Sequence, residues 1–471
     1  MNLKRKLWWA QHKSNVYKYG NILSLVIIVT ISIIYFTYSK FTSKNEMTAY
    51  ETTVEPFIKN DYFIASYIDG EWSNEIPGKN DGYVVDKIVC DNGATATWDN
   101  DEWGINIRNA TKKIKCSVFF IVKPPSVTEK ITTLASTDTA NFATDDPDNN
   151  IRYIGANPNN YVYFNCSDYN NQSDSTCEKW RIIGVFKNMT KSDGTKEDLV
   201  KIIRDDSLGN MSWDYKKNGV GTSTYDYGSN DWTDSQLMMM LNPTDYLKSG
   251  YTIENNIVKD SKGQAIYQNM GSYYNGTSGC KPSSIASGAD FTCTSIDFTS
   301  TGLKNDLTRN AIESVVWNLG GTSSNNSASN GLASHWYGYE RGTTVYSGRP
   351  ITWTGKVGLM YLSDYGYATS GGSTTNRAAC LAKELYHWSD SDVSDCKNND
   401  YLFKSSYYQW ALAPNSSSSN GVFVVSTNGY VYNDFASNAD GASPVTFLKS
   451  NILISEVGNG SSESPYQLSM K

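Results

Sequence analysis

From Tyr19 to Ser39 the chain carries no charge, and "NILSLVIIVTISIIYFTY" within it is almost wholly apolar or aromatic. That run has about the twenty residues a bilayer-spanning helix needs. Lys4, Arg5, Lys6, Lys13 and Lys18 precede it. It ends in "FTYSKFTSK", without a small-x-small cleavage site, which favours an uncleaved signal anchor over a removed signal peptide. The basic flank then stays in the cytoplasm and the bulk of the chain lies outside. The expected order is a basic cytoplasmic segment over 1–18, a transmembrane signal anchor over 19–39 and a polar stalk over 40–58. That makes a single-pass protein of the cell membrane with its bulk extracytoplasmic.

The cysteines point to the same compartment. There are eight, and all follow the apolar run. In sequence order they fall as Cys90 and Cys116, Cys166 and Cys177, Cys280 and Cys293, Cys380 and Cys396. None forms a C-x-x-C, which argues against a zinc ribbon or a thioredoxin-type site. Disulfides in an oxidising compartment are the simplest use for them. Spacing leaves the connectivity open, with neighbour pairing as the working expectation.

Residues 59–123 read as a small β module. Short runs such as "YFIASYIDG", "GYVVDKIVC" and "KIKCSVFFIVK" are rich in Tyr, Val, Ile and Phe and punctuated by Gly, Asn and Asp. The pattern resembles a small immunoglobulin-like sandwich. "KPPS", Lys123 to Ser126, marks its end, because consecutive prolines cannot continue a ladder. Beyond it, residues 127–471 mix strands with a few helices. "YVYFNC", "KWRIIGVF" and "LVKIIRDD" read as strands. "DWTDSQLMMMLN" reads as a short helix capped by Thr233, Asp234 or Ser235. "DLTRNAIESVVWNLGG" predicts a longer one, with Asp306 as cap and Leu307, Ala311, Val315 and Leu319 at helical spacing. The expected fold class is therefore α+β.

The closing blocks carry a resemblance. "SNDWTDSQLMMMLN", "YGYERGTTVYSGRPITWTGKVGLMYLSDYGYA" and "YQWALAP…NGVFVVSTNGYVYND…SPVTFLKSNILI" resemble a bacterial surface-protein family with a C-type-lectin fold. This is the branch related to the formylglycine-generating-enzyme domain, shared with the variable proteins of diversity-generating retroelements. The resemblance spans roughly 130–471. Trp410 and Pro444 match the family's closing strands, while Ser443 stands where Arg is usual. It implies a C-type-lectin-like domain over 127–471 that displays a solvent-facing surface. It does not imply catalysis, since one fold hosts many functions.

Chemistry has few carriers. Of three His, His12 lies in the basic leader, and His335 and His387 sit in no metal-binding frame. "ELYH" gives a single Glu-x-x-His step, where a di-iron site needs two. "DDPDNN", Asp145 to Asn150, is rich in oxygen ligands but lacks the Gly and terminal Glu of an EF-hand loop, and reads as a solvated turn. No catalytic residue, metal or cofactor is expected. A net charge of −7 and the lack of a basic stripe beyond the N-terminus argue against nucleic acid.

A contact surface remains. The chain has 33 Tyr, a residue that combines an apolar body with a polar tip and suits contact surfaces. In "NGVFVVSTNGYVYNDFASN", Val422, Val424 and Ser426 alternate with Phe423 and Val425. Asn428-Gly429 is a strong hairpin-turn dipeptide. Tyr407, Tyr408, Asn415, Asn420, Asn428, Tyr430, Tyr432, Asn433 and Asp434 are the expected ligand-binding residues. Trp336 and Tyr337 of "HWYGYERG" form a second candidate patch, in which Glu340 and Arg341 can equally be a structural ion pair. The expected function is binding of an extracellular protein or glycan. The rival classes are an exported enzyme of the formylglycine-generating type, which needs free thiols late in the chain, and a purely structural envelope protein.

Overall fold

The computed structural model describes residues 26–30, 62–109, 113–214, 228–242, 302–323 and 331–470, with four short strands between 252 and 297. The chain divides into two units, 1–123 and 124–471. It is mostly β, with helices accounting for 17% of it, so the α+β expectation is corrected. The helices are too short to form a layer; the longest in the second unit is Val127–Ala135.

The membrane expectation is also corrected. Among the described residues, no helix is long and apolar enough to cross a membrane. Of the expected span over 19–39, only the helical turn 26–30 is described; the basic leader over 1–18 and the stalk over 40–58 fall outside. The single-pass anchor and the cell-membrane location built on that span find no support.

In the first unit, Tyr62–Ile68 pairs parallel with Ile114–Val122 and antiparallel with Glu71–Ser73, while Tyr83–Cys90 flanks the other side of Ile114–Val122. Thr95–Asp99 and Gly104–Arg108 form a separate hairpin. Trp98, Trp103 and Phe120 pack edge to face or tilted between hairpin and sheet, with centroids 5.3 to 6.3 Å apart. Cys90 and Cys116 lie directly opposite on neighbouring strands and are bonded. The disulfide thus staples two strands of one sheet rather than two facing sheets. With the parallel pair, this replaces the immunoglobulin-like reading.

In the second unit one sheet runs Ile312–Glu313, Val445–Leu448, Lys196–Arg204, Glu178–Thr190, Ile151–Tyr153, Phe142–Ala143. The three strand runs read from the sequence are present, at 161–164, 178–190 and 196–204. Gly184 is needed where two backbones meet: a Cβ there would lie 1.9 Å from the Ile151 carbonyl oxygen. A second sheet orders Asn210–Ser212, Ala439–Gly441, Gln409–Pro414, Gly421–Val425, Val431–Phe435. Between the sheets lies a core in which Trp180, Trp213, Trp317, Trp336, Trp388 and Trp410 are fully buried. Trp213 meets Trp232 and Trp410 edge to face at 4.9 and 6.0 Å, and the Trp410 indole donates to the Met211 carbonyl at 2.7 Å.

The two sequence-predicted helices fare differently. Ser235 caps Gln236–Leu241 by accepting from the Met238 N–H, as its position before the apolar run requires. The longer helix stops at Ala311, with Asn305 rather than Asp306 as cap. Ile312–Glu313 then pairs with Val445–Leu448, and Val315–Asn318 with Thr352–Gly355. Ile312, Val315 and Val316 are β-branched, and available partner strands outweigh the helical spacing.

Candidate functional site

The C-terminal block folds as expected at its turn and differently at its strands. Gly429 takes φ +87°, and its N–H donates to the Ser426 carbonyl at 2.9 Å, closing the hairpin. Two outside groups fix that turn. The Tyr365 hydroxyl donates to the Gly429 carbonyl at 2.8 Å, and the Lys397 ammonium to that of Asn428 at 2.6 Å. Gly421–Val425 is buried along its whole length, because it is interior to the sheet with strands on both sides. Val431–Phe435, the edge strand beyond it, reaches solvent.

That edge carries a row of rings. Tyr386 meets Tyr430 at 6.1 Å, Tyr430 meets Tyr432 at 5.3 Å, and Tyr432 meets Tyr408 at 5.8 Å. Three elements supply the row: a short 3-10 turn at Leu385–His387, the edge strand, and the residues leading into Gln409–Pro414. Tyr386 and Tyr408 are 38% and 36% exposed. Neighbouring rings meet at 43 to 74°, so the row is not one flat platform.

One end of the row is acidic. The Asp434 carboxylate accepts from the Tyr432 hydroxyl at 3.2 Å, the Asn438 amide at 2.6 Å and the Phe435 N–H at 2.8 Å. Asp440, on Ala439–Gly441, is buried, and its side chain meets the Asp434 carboxylate. Burial first, and then the Asp434 charge, push the Asp440 carboxyl up to about 7. The same surroundings raise the Tyr432 hydroxyl well above the usual phenol range, burial first and Asp434 next. The opposite end carries His387, whose Nδ1 lies 3.1 Å from Asp390.

The other expected contact residues separate. Asn428 is exposed at the turn, and Asn433 is exposed but alternates with Tyr432 along the strand, which puts it on the opposite face from the row. Asn415 is buried: its amide donates to Asn433 at 3.1 Å and its oxygen accepts from the Ser417 N–H and hydroxyl. Asn420 accepts from Ser418 at 2.6 Å within the same loop. Tyr407 is half-buried, turned toward Gly441. Trp336 is fully buried against Phe423, which takes it out of any surface patch. Tyr337 is buried as well and lines a pocket on another part of the unit. Tyr386 and Asp440 belong to the site and escaped the sequence reading, because no local pattern brings residue 386 beside 430 or residue 440 beside 434.

That pocket has a volume of 220 Å³, opens past the exposed Asp148, Lys187 and Asn188, and includes Asn150, Lys201, Tyr337, Arg341 and Tyr361 in its lining. Beneath it, Arg152 bridges Asp146 at 2.6 Å and Asp364 at 2.9 Å, and Lys201 also meets Asp364. Glu340 accepts from Ser363 and pairs with Arg341 at 3.2 Å; burial pushes its carboxyl up to about 7. Glu340 and Arg341 are thus an ion pair rooted in the interior. "DDPDNN" is tied down too: Asp146 accepts from the N–H groups of Asp148 and Asn150, and Asp145 pairs with Arg377. No group of three potential metal ligands occurs among the described residues.

Cys166–Cys177 and Cys380–Cys396 are disulfides, with S–S distances of 2.08 and 2.07 Å. The side chains of Cys280 and Cys293 lie outside the described residues. No family model, no curated protein and no solved structure matches this chain. The C-type-lectin resemblance therefore stands on its sequence motifs alone.

Proposed function

We propose that this chain is an extracytoplasmic binding protein whose contact surface is the row Tyr386, Tyr430, Tyr432 and Tyr408 with its acidic end, and whose ligand is a protein. The observation that carries the reading is four tyrosines from three separate elements in unbroken ring contact on an exposed sheet edge. Tyrosines of this kind give large contact area at low entropic cost, and Asn and Ser around them supply adaptable hydrogen bonds. The tilted rings favour a protein surface over sugar stacking, which works best on a flat face. Asp434 favours a partner with a basic patch. The disulfides support a location in an oxidising compartment.

The test is binding of the whole chain to an array of extracellular proteins and to a glycan array, beside the double variant Tyr430→Ala, Tyr432→Ala. The expected result is protein-array binding lost in the variant while its thermal melt stays near wild type. Binding confined to glycans overturns the choice of ligand. Binding equal in variant and wild type overturns the surface.

A further inference from the structure

Lys201 occupies a chemically unusual position. It sits in the middle of the Lys196–Arg204 strand, opposite Phe447, and its side chain is completely buried. An ammonium has three protons to donate. The oxygen acceptor it meets among the described residues is the Asp364 carboxylate. Its other sides face rings: Tyr361 at 4.4 Å, Phe186 at 5.0 Å, Phe447 at 5.6 Å and Trp317 at 5.7 Å. A lysine paired with a carboxylate ordinarily holds its proton more tightly. Here burial outweighs the pair and pushes the amine down to about 8, which makes its proton easier to remove than an exposed lysine's, while Lys201 and Arg152 hold the Asp364 carboxyl below its ordinary value.

Asp364 is held on every side. Its Oδ2 accepts from Lys201 and from the Tyr361 N–H at 2.9 Å, and its Oδ1 accepts from Arg152 at 2.9 Å. The carboxylate is also completely buried. Amine nitrogen and carboxylate oxygen are thus in contact one bond from the carboxyl carbon, both sealed from solvent, with a guanidinium on the oxygen that stays. Such fixed proximity replaces a bimolecular encounter, and a dry site strengthens the Arg152 contact.

We propose that Lys201 and Asp364 condense into an intramolecular isopeptide bond. The step balances without any co-reactant. The ammonium passes a proton to Oδ2 along their hydrogen bond, and the freed nitrogen lone pair attacks Cγ. Negative charge develops on Oδ1, where Arg152 receives it. The Cγ–Oδ2 bond breaks as a second nitrogen proton transfers to that oxygen, and one water leaves. Nitrogen ends with one hydrogen, the carbon keeps Oδ1, and one positive and one negative charge vanish together. No oxidant, reductant or leaving group from outside enters. The product amide needs one acceptor where the ammonium needed three. Arg152 keeps Asp146 as its ionic partner. The bond joins positions 163 residues apart, tying a central strand of the first sheet to the helix Leu362–Ala368.

The experiment is mass spectrometry of the full chain, denatured and reduced, followed by peptide mapping. The expected result is a chain lighter than its sequence by one water, with a branched peptide joining the segments that contain Lys201 and Asp364. Lys201→Met should show its full mass and no branched peptide. Asp364→Asn should give the same branched peptide with ammonia lost instead of water. Wild-type chain of full mass with its disulfides formed overturns the proposal. So does water loss confined to a linear peptide, which marks a succinimide elsewhere. The wild-type mass decides even where a variant does not fold.

Discussion

Two regions of the second unit are built from the same residue types and put them to opposite use. Around Asp364, tyrosines and carboxylates are sealed inside with Arg152 and Lys201. Along Val431–Phe435, tyrosines and carboxylates lie open with no cation paired to Asp434 in the contacts described above. Inside, each charge is met by an opposite charge, because an unpaired one costs several kcal/mol. At the edge, Asp434 is satisfied by neutral donors and keeps its negative charge for whatever docks there. Tyrosine follows the same division: Tyr361 and Tyr365 fill the core and hold backbone carbonyls, whereas Tyr430 and Tyr432 keep ring edges in solvent.

The contrast breaks hardest at Arg152. Arg152→Met removes the cation that bridges Asp146 and Asp364, and we expect a loss of about 3–5 kcal/mol by urea titration. A loss below about 1 kcal/mol means water reaches those carboxylates, and the interior and edge then do not differ as described. Next in size is the Cys380–Cys396 bond, which closes a separation of 16 residues beside the site. Replacing both with Ser should cost about 3 kcal/mol and lower the melting temperature, and reductant should lower it further by less than it does in the wild type, since Cys90–Cys116 and Cys166–Cys177 remain.

A smaller and pH-dependent effect belongs to Asp440. Its folded carboxyl is raised to about 7, above its unfolded value, so the folded state holds a proton that the unfolded state releases. Stability is therefore lost as pH rises from the ordinary carboxyl range to about 7, and the loss is complete above it. Asp440→Asn should stabilise on the order of 1 kcal/mol at pH 8, after allowing for solvent screening, and the gain should close as pH falls toward 4. A gain equal at both ends points to packing, not to the shared charge. The smallest stability change is expected at Tyr430→Ala with Tyr432→Ala, within about 1 kcal/mol by thermal melt, because both rings are partly solvated. A large loss there makes the row structural and sharpens the comparison against binding.

Some of this was legible in the sequence. Asn428-Gly429 announced the turn, and Ser235 announced the helix start, since both depend on local backbone chemistry. Trp410 read as frame, and it is fully buried. The helix expected through Val315 failed because its continuation is decided by strands more than thirty residues away. Lys201 gave one unused signal, a lysine set in the apolar run "LVKIIR". Ser443 is buried on the closing segment, so its departure from Arg changes an interior position and adds no charge to the edge.

By itself, the sequence determined what depends on neighbours along the chain: the β-rich strand runs, the capped turn at Ser235, the hairpin turn at Gly429 and a supply of cysteines for disulfides. Tertiary structure decided what depends on distant partners. It buried Trp336 and Asn415 and exposed Tyr386. It set Asp440 beside Asp434 and enclosed Lys201 with Asp364. Backbone preference acts over a few residues, whereas desolvation and charge pairing act through space, so only the folded chain fixes which polar groups are sealed and which are offered.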